Sequence, residues 1–250
     1  MMRSSELLLE KYDSDKINSN YLKTYDPIFQ SYVGNRIDLL ELGIFRGGSL
    51  LLWRDYFPLG NIVGVDIKLP DGFAPGERIQ MFQGSQSDTD FLSKISNAAA
   101  PDGFDIIIDD ASHIGELTKT SFWHLFNYHL KPGGLYIIED WGTGYWSDWP
   151  DGTSLDFDAY AQTKIKRTRI WLLWLKIAGK LGVKFPMRHH AYGMVGLIKQ
   201  LVDEQGASDV TRKKNKGKPK RSSKFESMTI TQSIVFIKKA NRQDAAQRNV

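Results

Sequence analysis

The stretch Asp38-Leu-Leu-Glu-Leu-Gly-Ile-Phe-Arg-Gly-Gly-Ser49, followed by Gly64-Val-Asp66, decides how the rest of the chain is read. Ile37 to Leu42 is a short apolar run suited to a buried parallel strand, and Ser49 to Phe57 has the apolar spacing of a helix packed against it. Gly43, Gly47 and Gly48 let the backbone turn tightly and come close to a ligand. Asn61 to Val65 gives a second strand. Asp66 ends it about twenty residues after the turn, where a carboxylate can accept hydrogen bonds from ribose hydroxyls. Strand, glycine turn, helix, strand and acid, in that order, build a site for a nucleotide-type cofactor.

The glycines read G-x-x-x-G-G, whereas a dinucleotide fold uses G-x-G-x-x-G to cradle a pyrophosphate. Glu41, just before the first glycine, would repel a pyrophosphate but suits a ligand carrying an ammonium or sulfonium group. A NAD-type oxidoreductase sharing this unit is therefore the weaker reading. The pattern resembles the first motif of class I S-adenosylmethionine-dependent methyltransferases.

Further along, Arg78 to Gln83 alternates as a third strand, Asp88 to Asn97 reads as a helix, and Phe104 to Asp109 is a strongly apolar strand. A helix is expected from about Glu116 to Leu130, a break at Lys131-Pro-Gly-Gly134, and a buried strand over Leu135 to Glu139. Tyr192 to Gln205 reads as a helix, and Phe225 to Ile230 with Ser233 to Lys239 as a closing hairpin. This alternation predicts an α/β fold of seven strands with a C-terminal antiparallel hairpin and helices on both faces, which resembles the Rossmann-like sheet of class I methyltransferases.

At 250 residues we expect one methyltransferase domain, 1–250, with an N-terminal cap segment at 1–30, an insertion forming an acceptor lid at 141–190, and a disordered tail at 241–250. The insertion holds five of the seven tryptophans, a basic run Lys164 to Arg169 and an apolar stretch Ile170 to Ile177. Aromatics with glycines can form flat platforms for a sugar ring or macrocycle. The apolar stretch equally suits a core or oligomer helix. A basic, tryptophan-bearing helix is also compatible with a membrane surface or a lipid-linked acceptor.

The absence of cysteine excludes disulfides and thiolate chemistry and agrees with a cytoplasmic protein. The start lacks the apolar core of a signal peptide. The net charge of +4 comes from Arg212 to Arg221, where seven of ten residues are Lys or Arg. No aromatics are interleaved there, so a solvated loop is expected and no nucleic-acid partner.

Two strands end in paired acids, Asp109-Asp110 and Glu139-Asp140. Parallel neighbours lie about 4.8 Å apart, so these acids converge at the crevice where such sheets bind ligands, and a hard divalent ion, Mg²⁺ or Mn²⁺, would relieve their repulsion. The bland reading is capping of the next helix or turn. His113 lies in the loop at the same mouth and suits a general base; it could also simply pack the loop. His124 and His129 read as packing or surface residues, and His189 and His190 are undecided.

Asp109-Asp-Ala-Ser-His113, Leu135-Tyr-Ile-Ile-Glu-Asp140, Tyr145-Trp146, Gly47-Gly-Ser-Leu50 with Trp53, Tyr56 and Phe57, and Lys11-Tyr-Asp-Ser-Asp-Lys16 together resemble the macrolide-sugar O-methyltransferases of the mycinamicin and macrocin type. Their core is shared with the cephalosporin hydroxylase-like family and with polysaccharide sugar methyltransferases. The resemblance implies a metal held by Asp110, Glu139 and Asp140, and His113 as catalytic base. It implies S-adenosylmethionine contacts by Glu41, Gly43, Ser49, Asp66 and Asp109, with Gln83, Gly84, Ser85 and Asp88 beside the adenine. Tyr12 and Lys16 would lie near cofactor or acceptor. The implied substrate is a sugar hydroxyl of a natural product, polysaccharide or glycolipid, and a homo-oligomer is expected. A non-catalytic cofactor-binding partner in a biosynthetic complex is the alternative, and it would need neither the acid pairs nor His113.

Overall fold

Alternate residues of the central strands point to opposite faces, and the helices that cover each face follow from that alternation. The computed structural model describes residues 3–155, 177, 190–212 and 215–241. The Lys164 to Arg169 run, nearly all of the Ile170 to Ile177 stretch, His189, most of the 141–190 lid and the tail beyond 241 lie outside the described residues.

The strands are β1 (Asp38–Leu42), β2 (Asn61–Asp66), β3 (Ile79–Gln83), β4 (Phe104–Asp109), β5 (Leu130–Ile138), β6 (Phe225–Ile230) and β7 (Val235–Lys239). They form one seven-stranded sheet in the order β3-β2-β1-β4-β5-β7-β6. The first five are parallel, and β7 and β6 close the sheet as an antiparallel hairpin. The expected break at Lys131 to Gly134 does not interrupt β5. The strand runs through Pro132 and Gly133 with a register shift against β4, and Gly133 adopts φ +74°. A proline and a left-handed glycine are tolerated where a bulge already removes ladder bonds.

On one face, α4 (Thr89–Ala99), α5 (Gly115–Tyr128) and the helix Gly193–Gln205 cover Leu40, Leu42, Val63, Ile107, Tyr136 and Ile138. On the other, α2 (Leu22–Phe29) and α3 (Gly48–Tyr56) cover Leu39, Ile62, Ile106, Ile108 and Ile137. That second face is unusually aromatic: Phe29 packs on Tyr25, Trp53, Tyr56 and Phe57 with ring centroids 4.7, 5.6, 5.9 and 5.2 Å away. Offset and edge contacts of this kind add to the burial of each ring. Asp88 caps α4, accepting from the Phe91 N–H at 3.0 Å.

Residues 3–29 fold as short helical turns, α1 (Asp15–Asn18) and α2 over the α3 side. Asp26 ties them down, accepting from Ser4 and from the Tyr56 hydroxyl at 2.6 Å, and the Tyr12 hydroxyl donates to Asp55 at 3.0 Å. Of the basic run, Arg221 forks onto Glu204 at 2.7 and 2.6 Å, while 213–214 lie outside the described residues. No helix among the described residues is long and apolar enough to cross a membrane.

The cap meets the glycine turn without room to spare, since a Cβ at Gly48 would lie 1.9 Å from the Asp13 carbonyl oxygen. Gly48→Ala should therefore cost about 1–3 kcal/mol of stability through overpacking. It should also expose Lys11 and Lys16 to trypsin before the sheet unfolds. Urea denaturation with limited proteolysis checks this, and a variant cut no faster than the wild type contradicts the tight contact.

Candidate active site

Strands β1, β4 and β5 end in register: the Asp110 N–H donates to the Leu42 carbonyl at 2.9 Å and the Glu139 N–H to the Asp109 carbonyl at 3.0 Å. Strand alternation then sorts the acids. Asp109 shares the face of Ile107 and turns toward α5; Glu41 and Glu139 share the faces of Leu39 and Ile137 and turn toward α2 and α3. The paired acids are therefore separated, and two distinct constellations result.

The first is buried. The Lys16 ammonium, fully buried, lies 2.5 Å from Asp110, 3.0 Å from Glu139 and 3.5 Å from Glu41. Glu41 also accepts from Ser49 Oγ at 2.7 Å and Trp53 Nε1 at 3.0 Å, and Glu139 accepts from the Tyr25 hydroxyl at 2.5 Å. Burial alone would push the Lys16 ammonium down, but Asp110, Glu139 and Glu41 hold it well above its usual value. Burial and the nearby Asp110 push the Glu139 carboxyl well above its usual value, while Lys16 and the Tyr25 hydroxyl oppose that rise. Glu41, expected to face a cofactor's ammonium, meets the protein's own.

The second faces solvent. One donor atom each from Asp110, His113 and Asp140 lie within 4.8 Å of one another. His113 Nε2 stands 3.8 Å from Asp110 and 3.9 Å from Asp140, near both and hydrogen-bonded to neither. Both His113 and Asp140 adopt φ +50°, a region unfavourable for residues with a Cβ and recurrent at functional sites. In Asp140 this turn carries the side chain back toward Asp110, and the Tyr21 hydroxyl donates to it. Glu139, expected beside Asp140 as a metal ligand, points instead to Lys16 and Tyr25.

A cavity of about 1010 Å³ runs from the glycine turn to this cluster, walled by Gly43, Ser49, Asp66, Asp110 and His113 and roofed by Asp13 to Asn18 of the cap. That volume matches sites for cofactor-sized molecules. Ser14, in its wall, has a buried hydroxyl with no partner among the described residues, which a polar ligand would satisfy. Asp66 accepts from the backbone N–H groups of Ile44, Phe45 and Lys68 at 2.7, 3.1 and 3.0 Å, so it holds the turn as well as lining the cavity.

Asp109 does not line this cavity. It is buried, accepts from Ser121 at 2.7 Å, Tyr136 at 3.1 Å and Gln86 at 3.2 Å, and burial pushes its carboxyl up to about 6. Gln83 ends β3 beside Asp66, and Gly84, Ser85 and Asp88 follow it, but none of the four lines the cavity. Gln86 was not anticipated: it links Asp109 to the Ser112 N–H at 3.1 Å and so sets the loop carrying His113. His124 and His129 flank Ser93 on α4, at 2.8 and 3.2 Å, as packing residues. His190 donates to or accepts from backbone only, stacking on Tyr192.

The sheet order with its closing hairpin, the glycine turn, and the acid ending β2 define a class I methyltransferase fold. The chain's homologues are sugar O-methyltransferases of natural products. It is 43% identical over 129 residues to mycinamicin VI 2''-O-methyltransferase of Micromonospora griseorubida, a match covering 49% of this chain and 31% of that protein. It is 38% identical over 154 residues to demethylmacrocin O-methyltransferase of Streptomyces fradiae, covering 54% of this chain and 38% of that one. Among solved structures, the MycE methyltransferase of the mycinamycin biosynthetic pathway, in complex with Mg and SAH, superposes with a TM-score of 0.62 at 28% identity. That match covers 88% of this chain and 50% of the other. The chain thus spans about a third of the curated relatives' length and half of MycE. No protein-family model matches it.

Removing the Lys16 charge leaves buried acids unpaired. Lys16→Met should cost about 3–5 kcal/mol, and Glu139→Gln in the same chain should restore part of it. Chemical denaturation of the single and double variants tests the coupling, and strictly additive effects would disprove it.

Proposed function

We propose that this chain catalyses metal-assisted O-methylation of a sugar hydroxyl on a natural product, polysaccharide or glycolipid, with S-adenosylmethionine as methyl donor. The observation that carries the reading is the convergence of Asp110, His113 and Asp140 at the wall of a cavity built on the glycine turn and Asp66. MycE, the neighbour with Mg and SAH, and a MycE complex that also holds mycinamycin VI support it by analogy.

The donor set fits a hard divalent ion: Asp110 and Asp140 offer carboxylate oxygens, and Glu139 joins them only by giving up Lys16. When bound, the ion lowers the acceptor hydroxyl's pKa and the sulfonium supplies the methyl carbon, whose bond to sulfur breaks with its electron pair staying on sulfur as the new carbon–oxygen bond forms. His113 takes the hydroxyl proton at Nε2, which is not engaged with either carboxylate. Lys16 keeps Asp110 in place from behind, and the cap from Asp13 to Asn18 shields the cavity from water. Positioning, by strand ends locked in register, is the protein's main contribution.

The test separates base from ligand. His113→Ala should lower kcat by about 10²–10⁴-fold with Mn²⁺ and S-adenosylmethionine affinities unchanged. Asp110→Asn should instead weaken Mn²⁺ binding read by electron paramagnetic resonance. Chelation by EDTA should abolish transfer, and NAD⁺ should not bind in calorimetry. Undiminished turnover under EDTA, or full activity of His113→Ala, sinks the mechanism.

A further inference from the structure

A second cavity among the described residues, of about 230 Å³, opens beside Asp140 and shares no residue with the large one. Its walls come from two separate segments. Gly142, Tyr145 and Trp146 follow β5, and Gln232 and Ser233 belong to the turn between β6 and β7. The two are fastened together by Trp141, whose indole N–H donates to the Thr231 carbonyl at 3.0 Å. The Asp110, His113 and Asp140 cluster stands between the cavities, with Asp110 and His113 lining one and Asp140 the other.

We propose that this groove seats the acceptor's sugar ring, with Trp146 as its stacking face and Gln232 and Ser233 as hydroxyl partners; the assignment rests on the O-methyltransferase reading above. Trp146 is 54% exposed, yet it is held in place. Its N–H donates to the Thr143 carbonyl at 2.9 Å, its carbonyl accepts from Trp149 at 3.0 Å, and its ring meets that of Trp149 edge-on with centroids 6.4 Å apart. The two hydrogen bonds anchor the Trp146 backbone and the edge contact with Trp149 steadies its ring, so the half-exposed indole offers a flat face to which the C–H face of a pyranose is complementary.

Size decides which part of the acceptor enters. Sites for drug-sized ligands run from about 300 Å³ upward, so 230 Å³ admits one ring and leaves a large aglycone outside. Gly142 keeps the wall open, because a Cβ there would find only the Gln232 carbonyl, at 3.8 Å. A ring lying on Trp146 would present its edge hydroxyl to Asp140, and through Asp140 to the cluster that also borders the cofactor cavity. Trp149, with its ring 5.9 Å from that of His113, ties the platform to the base. The groove would therefore select which hydroxyl is methylated, while the large cavity selects the donor.

The experiment uses methyl α-L-rhamnopyranoside as the probe, titrated by saturation-transfer NMR against the full chain, Trp146→Ala, Trp146→Phe and Gln232→Ala. S-adenosylmethionine affinity is measured in parallel by calorimetry. Trp146→Ala should weaken the probe about tenfold, Trp146→Phe should restore most of that, and S-adenosylmethionine affinity should stay the same in all variants. Equal probe affinity in wild type and Trp146→Ala overturns the groove assignment, as does failure of the wild type to bind the probe while it binds S-adenosylmethionine. Failure of the wild type to bind S-adenosylmethionine removes the methyltransferase reading, and the groove assignment with it.

Discussion

The Lys16 ammonium stands where β1, β4 and β5 all end, within 3.5 Å of Glu41, Asp110 and Glu139. Two like charges 4 Å apart repel by about 4 kcal/mol at an effective dielectric of 20, so three buried acids at adjacent strand ends could not share this point without a cation and donors. Lys16 supplies the cation; Tyr25, Ser49 and Trp53 supply the donors. Lys16 lies 94 residues from Asp110 and 123 from Glu139 in sequence. The cap therefore cannot be seated until the sheet has brought its carboxyl ends together. Once seated it roofs the large cavity, so the charge balance of the core and the shape of that cavity have a common origin.

Strand alternation explains how two sequence-adjacent acids come to do different work. Consecutive residues on a strand face opposite ways, so Asp109 joins the Ser121 and Tyr136 side while Asp110 meets Lys16. Glu139 follows Ile137 to the aromatic face, and Asp140 leaves the extended conformation to reach His113 and Asp110. Each pair thus has one acid turned fully into the core and one half-buried at the cavity mouths. The left-handed turn at Asp140 is the local strain by which the second is made available.

The fold was legible in the sequence because its signals are local. Apolar runs marked β1, β2 and β4, Asp88 marked the start of α4, and the C-terminal alternation marked the hairpin. The site was only partly legible. That Asp110, His113 and Asp140 share one mouth followed from strand order. The partners of Glu41, Glu139 and Asp109 did not, since they depend on which face each residue takes and on a lysine far away in the chain. Period-2 parity was available as a signal and would have separated Asp109 from Asp110. Nothing local marks Gln86 as the residue joining Asp109 to the His113 loop. The Lys131 to Gly134 break was misjudged because a bulge accommodates proline and glycine inside a strand.

The distribution of charge also bears on what the lysine does at these strand ends. Glu41, Asp110, Glu139 and Asp140 offer four carboxylates, and Lys16 balances one. Burial and the nearby Asp110 raise the Glu139 carboxyl well above its usual value, so this acid holds its charge least readily. Asp110 and Asp140 are the half-buried members, Asp110 bordering the large cavity and Asp140 the small one. Lys16 spans the two groups, touching Asp110 at 2.5 Å and Glu139 at 3.0 Å, so positive charge added at Asp110 and Asp140 would compete with it for Asp110. Occupancy of the outer pair and the seating of the cap would therefore be coupled through one carboxylate, that of Asp110, because Lys16 reaches it from the cap and Asp140 stands within 4.8 Å of it on the other side.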